Sequence, residues 1–179
     1  MLVVALLAGL SGIAAAVQVN VYGPICDPAA RITSTTYYNC AGATHTALDI
    51  SGVGTCGVSN YHAALGGSYR YGFFGGCANS CSGCAAGCCN GGAGNYYVVT
   101  GASGWDFRQL HFNTSAASGT KTCDRCVLGL LGATGASTGV HAHLDNRQYG
   151  TRKSAWYTTV GTTCGSNADC GVRIGVVTL

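Results

Sequence analysis

The sequence predicts an all-β protein built as one antiparallel sheet or sandwich domain, and three observations carry that prediction. Charged helix formers are scarce: only 8% of the 179 residues are charged, and the six acids are all aspartate. Turn-forming and cross-linking residues are abundant instead, with 29 Gly and 12 Cys, which suits a compact, turn-rich domain. Short runs rich in β-branched and aromatic residues recur between Gly, Ser and Asn. They are "NYYVVTG" (95–101), "GVHAHLD" (139–145), "SAWYTTV" (154–160) and "VRIGVVTL" (172–179), each expected to be a strand.

Along the chain, residues 1–16 come first. "MLVVALLAGLSGIAAA" is apolar, with Ala14 and Ala16 spaced as in a cleavage site, so it is expected to be a signal peptide and the mature domain to span 17–179. A buried strand is the alternative reading. Gly9, Ser11 and Gly12 interrupt the stretch, which is shorter than the ~20 residues a bilayer requires, so no permanent membrane insertion is expected. The twelve cysteines all follow Val17. An even set in an exported chain is expected to be paired as disulfides, and a secreted, extracellular location follows. A thiolate metal cluster at Cys77, Cys81, Cys84, Cys88 and Cys89, or half a zinc knuckle at Cys123 and Cys126, is the competing reading.

Between Gly72 and Gly94 the composition turns to Gly, Cys, Ala, Asn and Ser without apolar period. This segment, about 73–94, reads as a long disulfide-tied loop between two strands. No solenoid-length repeat and no linker divides the chain.

Two stretches hold the candidate chemistry. His141 and His143 stand two apart, so in a strand they share one face, roughly 6 to 7 Å apart, and can serve one pocket. One of them can ligate a metal while the other stands beside it as an acid or base. Upstream, "GATHTALDISG" places His45 four residues before Asp49 in a context too rich in Thr, Gly and Ser for a helix, so the two side chains are expected to meet across a bend. His, carboxylate and His form a common catalytic zinc set with a fourth position for water. Each stretch taken singly also reads as ordinary β structure: a pair of strand histidines, a surface His and a turn Asp.

Taken together, the chain resembles the lysostaphin-type (LytM-like, beta-lytic) zinc endopeptidases that cut bacterial peptidoglycan peptides. The resemblance lies in H-x-x-x-D at His45 and Asp49, a lone His111 in "GWDFRQLHFN", and H-x-H inside "TGASTGVHAHLD" (134–145). It covers roughly residues 40–147 and implies the fold of that peptidase family. It also implies one catalytic Zn²⁺ held by His45, Asp49 and His143, with His111 and His141 as the catalytic histidines that contact the attacking water and the transition state. His62 has no counterpart and reads as a structural histidine. The sequence departs from the family at Ala142, where a larger apolar residue is usual, and in the Cys-rich insertion of 75–90, which is expected to wall the substrate groove.

Such zinc would bring the pKa of water to about 7. A glutamate base, as in H-E-x-x-H, is excluded because the chain has no Glu. His111 and His141 remain as acid and base, in either assignment. The implied partner is bacterial peptidoglycan peptide, with the protein acting as a monomer; the net charge of +3 is a mild bias toward anionic wall polymers. Tyr37, Tyr38, Tyr61, Tyr69, Tyr71, Tyr96, Tyr97 and Trp105 would line a groove or, more simply, serve the sheet. Basic residues are too scattered for nucleic-acid binding, and paired cysteines are not nucleophiles. The rival from another class is a cysteine-rich secreted binding protein or toxin on the same fold without catalysis.

Overall fold

Period-two alternation along the strands decides which side chains form the core and which form the site. The computed structural model describes residues 14–35, 45–51, 60–78, 80–81, 88–114 and 118–179. Its strands are β1 (Gln18–Tyr22), β2 (Arg31–Ser34), β3 (Leu48–Ser51), β4 (Asn60–His62), β5 (Tyr69–Phe74), β6 (Ser80–Cys81), β7 (Asn95–Thr100), β8 (Trp105–Phe112), β9 (Lys121–Cys123), β10 (Val127–Leu130), β11 (Gly135–Ala136), β12 (Ala142–Gln148), β13 (Thr151–Lys153) and β14 (Arg173–Thr178). The class is all-β: the main sheet runs β2-β3-β12-β8-β7-β5-β9, with β13 beside β12, and its pairings are antiparallel.

One face of this sheet is apolar. Leu48 and Ile50 of β3, Ala142 and Leu144 of β12, Phe107 of β8 and Tyr97 and Val99 of β7 are buried there with Val19, Val21, Ile174 and Val177 of the β1–β14 pair. The intervening residues, Asp49, His143, Asp145 and Arg108, turn to the other face, as the two-residue period requires. Ala142 is fully buried, so the small residue between the two histidines still fills a core position.

Two expectations need correction. "SAWYTTV" is not a strand but contains a short helix, α1 (Ala155–Thr158). Its consecutive residues Trp156 and Tyr157 are both buried, which a half-buried strand could not arrange, and Trp156 packs so closely on β14 that a Cβ at Gly175 would lie 2.4 Å from its ring. A run this short has no readable period, and packing decided it. The loop expected at about 73–94 also begins later than its composition suggests. Phe73 and Phe74 still pair with Tyr97 and Tyr96, so the excursion starts at Gly75.

Disulfides join Cys26 to Cys170, Cys77 to Cys89 and Cys123 to Cys126, and Cys88 is also disulfide-bonded. The zinc-knuckle reading of Cys123 and Cys126 therefore falls. Pairing is nevertheless incomplete, since Cys164 is an exposed free thiol. Cys40, Cys56 and Cys84, with Tyr37, Tyr38 and the first thirteen residues of the expected signal peptide, lie outside the described residues. No helix among the described residues is long and apolar enough to cross a membrane.

Candidate metal centre

The register of the sheet brings the first donors together. His143 and Asp49 are direct partners across the antiparallel β12–β3 pair, and His143 Nδ1 lies 2.9 Å from Asp49 Oδ1. His45 reaches the same point from the bend before β3, where Thr46 adopts φ of 46°. Its Nε2 is 3.3 Å from Asp49 Oδ1 and 3.2 Å from His143 Nδ1. His45 and Asp49 thus meet across a bend, as the sequence suggests. The ligand atoms of tetrahedral zinc, at bonds of about 2.0 to 2.1 Å, stand roughly 3.3 to 3.4 Å apart. The observed triangle is only slightly tighter, so one ion fits it with a small outward shift of the three side chains.

The groups facing the far ring atoms support the same set. His45 Nδ1 is 3.1 Å from the carbonyl of Thr35, and a carbonyl only accepts, so Nδ1 carries the proton and Nε2 keeps a lone pair for a metal. His143 turns Nε2 toward Asp145 Oδ2 at 3.6 Å, the carboxylate-behind-imidazole arrangement that orients metal-ligating histidines. His143 Nε2 is buried without a hydrogen-bond partner at this distance. All three donor residues are buried, with exposures of 4%, 7% and 4% for His45, Asp49 and His143. Burial alone would raise the Asp49 carboxyl, but the imidazoles of His141, His143 and His45 packed around it, which favour its charged form, hold it well below the ordinary carboxylate range.

His111 and His141 stand on the other side of the same cavity, with ring centroids 4.8 Å apart. His141 precedes β12 and directs Nε2 toward Asp49 Oδ1 at 3.5 Å, while its Nδ1 donates to the Gly139 carbonyl at 2.9 Å. His111 Nδ1 donates to the Thr134 carbonyl at 2.7 Å. In both neutral rings Nε2 is therefore the proton acceptor. Burial lowers the His111 pKa well below the imidazole value, and His143 and His141 press it further down. Burial also opposes charge on His141, but its hydrogen bond to Asp49 outweighs this and raises it.

Backbone geometry places His111 in a way that alternation does not foresee. Leu110 and His111 are consecutive, yet both line the cavity. His111 has φ of 66°, and the β7–β8 register slips between Asn95 and Tyr97. An irregularity of this kind re-aims a side chain near a site, and a non-glycine residue at positive φ stores of order 1 kcal/mol of strain. The Thr134 acceptor is itself fixed: its Oγ1 donates to the Phe112 carbonyl and accepts from the Asn95 amide. The next residue, Gly135, has φ of 78°, and a Cβ there would lie 2.3 Å from the Gly94 nitrogen, so only glycine fits.

The cavity holds about 340 Å³ and includes all five candidate residues: His45, Asp49, His111, His141 and His143. Gly91, Gly92 and Ala93, which follow the Cys-rich insertion of 75–90, form one side, and no described residue of 75–90 itself lines it. Among the described residues, Tyr61, Tyr69, Tyr71, Tyr96, Tyr97 and Trp105 do not line it; Tyr61, Tyr71 and Tyr97 are buried in the core. His62 bonds to the Arg125 carbonyl through Nδ1 at 3.2 Å and takes no part.

Sequence reasoning missed Asp145, Arg108, Arg147 and Arg152. Arg108 forks onto Asp145 with Nε and Nη2 at 2.8 and 2.6 Å, and Arg152 Nε reaches it at 3.0 Å. Extending the two-residue period from His141 and His143 through Asp145 to Arg147 would have found half of this group.

Fold and site together define an all-β protein with a buried His/Asp/His set able to hold one metal ion and two further histidines beside it. No protein-family model matches the chain, and no curated protein does. Among solved structures it is similar to a zinc-containing peptidase from Vibrio cholerae, with 21% identity, 74% of this chain and 38% of that one covered, and TM-score 0.47. It is similar also to the catalytic domain of the antimicrobial peptidase lysostaphin from Staphylococcus simulans, with 18% identity, 68% and 84% covered, and TM-score 0.44. A third is the metalloprotease pseudoalterin from the deep sea, with 17% identity, 77% and 76% covered, and TM-score 0.49. The chain spans well under half the length of the Vibrio cholerae peptidase.

Proposed function

We propose that the protein is a secreted zinc endopeptidase of the lysostaphin type that hydrolyses peptide bonds in bacterial peptidoglycan. The observation that carries the reading is the convergence of His45, Asp49 and His143 on one point with His111 and His141 facing it. The donor set of two imidazoles and one carboxylate suits zinc. When bound, zinc supplies Lewis acidity, making water nucleophilic near neutral pH and polarising the scissile carbonyl.

The chain's own residues handle the protons. His141, with Nδ1 held by Gly139, presents Nε2 as acceptor toward the cavity. His111, with Nδ1 held by Thr134, presents a second. As one ring gains a proton it becomes a donor to the leaving amine or to the developing oxyanion, so the pair supplies the acid/base work that a glutamate performs elsewhere. Asp145 stands behind the His143 ring, 3.6 Å from its Nε2. The wall substrate and the extracellular location rest on the sequence resemblance and the disulfides. Removal of residues 1–16 as a signal peptide belongs to the same proposal.

The test is incubation of the purified protein with peptidoglycan, with mass spectrometry of the released fragments and elemental analysis of bound metal. New peptide termini that disappear on chelation, with about one zinc per chain, are expected. Wall binding without any cleavage, at full zinc occupancy, would favour the non-catalytic binding protein instead.

A further inference from the structure

Beside the metal donors, the same sheet face carries more guanidinium groups than its carboxylates satisfy. Asp145 is fully buried and offers four lone-pair positions. Arg108 occupies two of them and Arg152 a third, while His143 Nε2 stands 3.6 Å away. Arg147 is left with a single 3.4 Å approach of Nε to Asp145 Oδ1, and that Nε is buried without a hydrogen-bond partner. Asp106 faces Arg147 across the β12–β8 register but forms no ion pair with it among the described residues. Its own Oδ1 is likewise buried and unbonded.

All three arginines line the same cavity as the five candidate residues. Arg152 is also tied to the metal side, donating from Nη1 to the His45 carbonyl at 3.1 Å. The Arg147 side chain is 23% exposed, and its buried Nε gives up solvation without a compensating hydrogen bond. Burial, with Arg108 and Arg152 nearby, accordingly presses its pKa down although Asp145 opposes this. An arriving carboxylate would take two parallel N–H bonds in the geometry that a guanidinium fork presents.

We propose that Arg147, flanked by Arg108 and Arg152, forms an anion subsite that receives a free carboxylate of the peptide substrate near the scissile bond. This deepens the peptidase reading and rests on it for the word substrate. The protein thereby selects acidic peptides over neutral ones. The carboxylate is either the C-terminal group of a short peptide or an acidic side chain, and both would make the same fork.

The test is calorimetric titration of the full chain, zinc-loaded and chelator-stripped, with three probes: acetyl-tetraglycine, its C-terminal amide, and that amide with one glycine replaced by glutamate. The free acid should bind at least about tenfold tighter than the neutral amide in both metal states. Survival of the ratio without zinc separates the arginines from carboxylate coordination to the metal. Arg147→Gln should bring the ratio to near one while zinc stoichiometry stays unchanged. Arg152→Gln, at a more exposed side chain, should reduce it as well and guards against misfolding of the first variant. If the glutamate amide shares the advantage, the subsite reads a side chain; if only the free acid has it, the subsite reads a terminus.

If neither the free acid nor the glutamate amide outbinds the neutral amide in the parent protein, or if both substitutions leave the advantage untouched, the subsite is overturned. If that happens while peptides are still cleaved, the peptidase reading stands alone. If no peptide is cleaved yet the Arg147-dependent ratio persists, the anion subsite stands and the peptidase reading falls.

Discussion

Asp49 Oδ1 lies 2.9 Å from His143 Nδ1 because the two residues face each other in the antiparallel register of β3 and β12. The register fixes the two backbone positions opposite each other, so the sheet brings the donor pair together before any ion binds. Replacing His45, Asp49 or His143 by Ala is expected to remove bound zinc and peptidase activity together, while far-UV circular dichroism stays that of the parent. A His143→Ala protein retaining full zinc would refute the ligand assignment.

His111→Ala and His141→Ala should behave differently. Both rings hold their Nδ1 protons on backbone carbonyls and offer Nε2 to the cavity, outside the His45, Asp49 and His143 triangle. Zinc stoichiometry is expected to stay near one per chain, with turnover lowered by roughly 10² to 10⁴. If the two act on one transition state, the double variant should lose far less than the product of the single losses.

Asp145 links the metal donors to acid stability. Burial alone would raise its pKa, but the Arg108 hydrogen bonds, with His143 adding to them, hold it well below the carboxylate range. A depressed folded-state value means that the stabilisation is present above the unfolded pKa of about 3.9 and is lost as pH falls through the lower folded value. Asp145→Asn should cost about 3 to 5 kcal/mol near neutral pH, the usual result of leaving buried guanidinium groups unpaired. Its denaturant midpoint should also vary less below about pH 4, and a variant as stable as the parent at pH 7 would contradict the ion-pair account.

Thr134 holds the strained turn at His111 through Oγ1, which bonds both the Phe112 carbonyl and the Asn95 amide. Thr134→Val leaves two buried backbone groups unsatisfied and should destabilise the protein by about 2 kcal/mol. Because the same residue's carbonyl positions the His111 ring, kcat should fall while zinc occupancy holds. Thermal unfolding and metal analysis of one preparation check both.

Alkylation of the native, unreduced protein should modify Cys164 readily and spare Cys26, Cys77, Cys89, Cys123, Cys126 and Cys170. Peptide mapping reads the outcome directly. Reduction of Cys26–Cys170, which closes a loop of 144 residues, should cost several kcal/mol of stability, up to about 5 in the chain-entropy account.

Local chemistry and local period already determine a good part of this protein. The H-x-H spacing in "GVHAHLD" suggests that His141 and His143 serve one pocket, and both line the cavity although His141 precedes the strand; the Thr/Gly-rich context of His45 calls for a bend, and His45 and Asp49 meet across one. These properties depend on residues within a few positions of one another, and so they are legible in one dimension. Pairing register, a positive φ and burial are different, because long-range packing sets them. Only the tertiary structure puts Asp49 opposite His143 across 94 residues and turns consecutive Leu110 and His111 into one cavity through φ of 66°. Packing on Gly175 likewise winds Trp156 and Tyr157 into a helix despite their β-prone composition. The arginines around Asp145 come from three strands, β8, β12 and β13, and no local pattern joins them, because their meeting is fixed by the order in which the sheet lays those strands side by side.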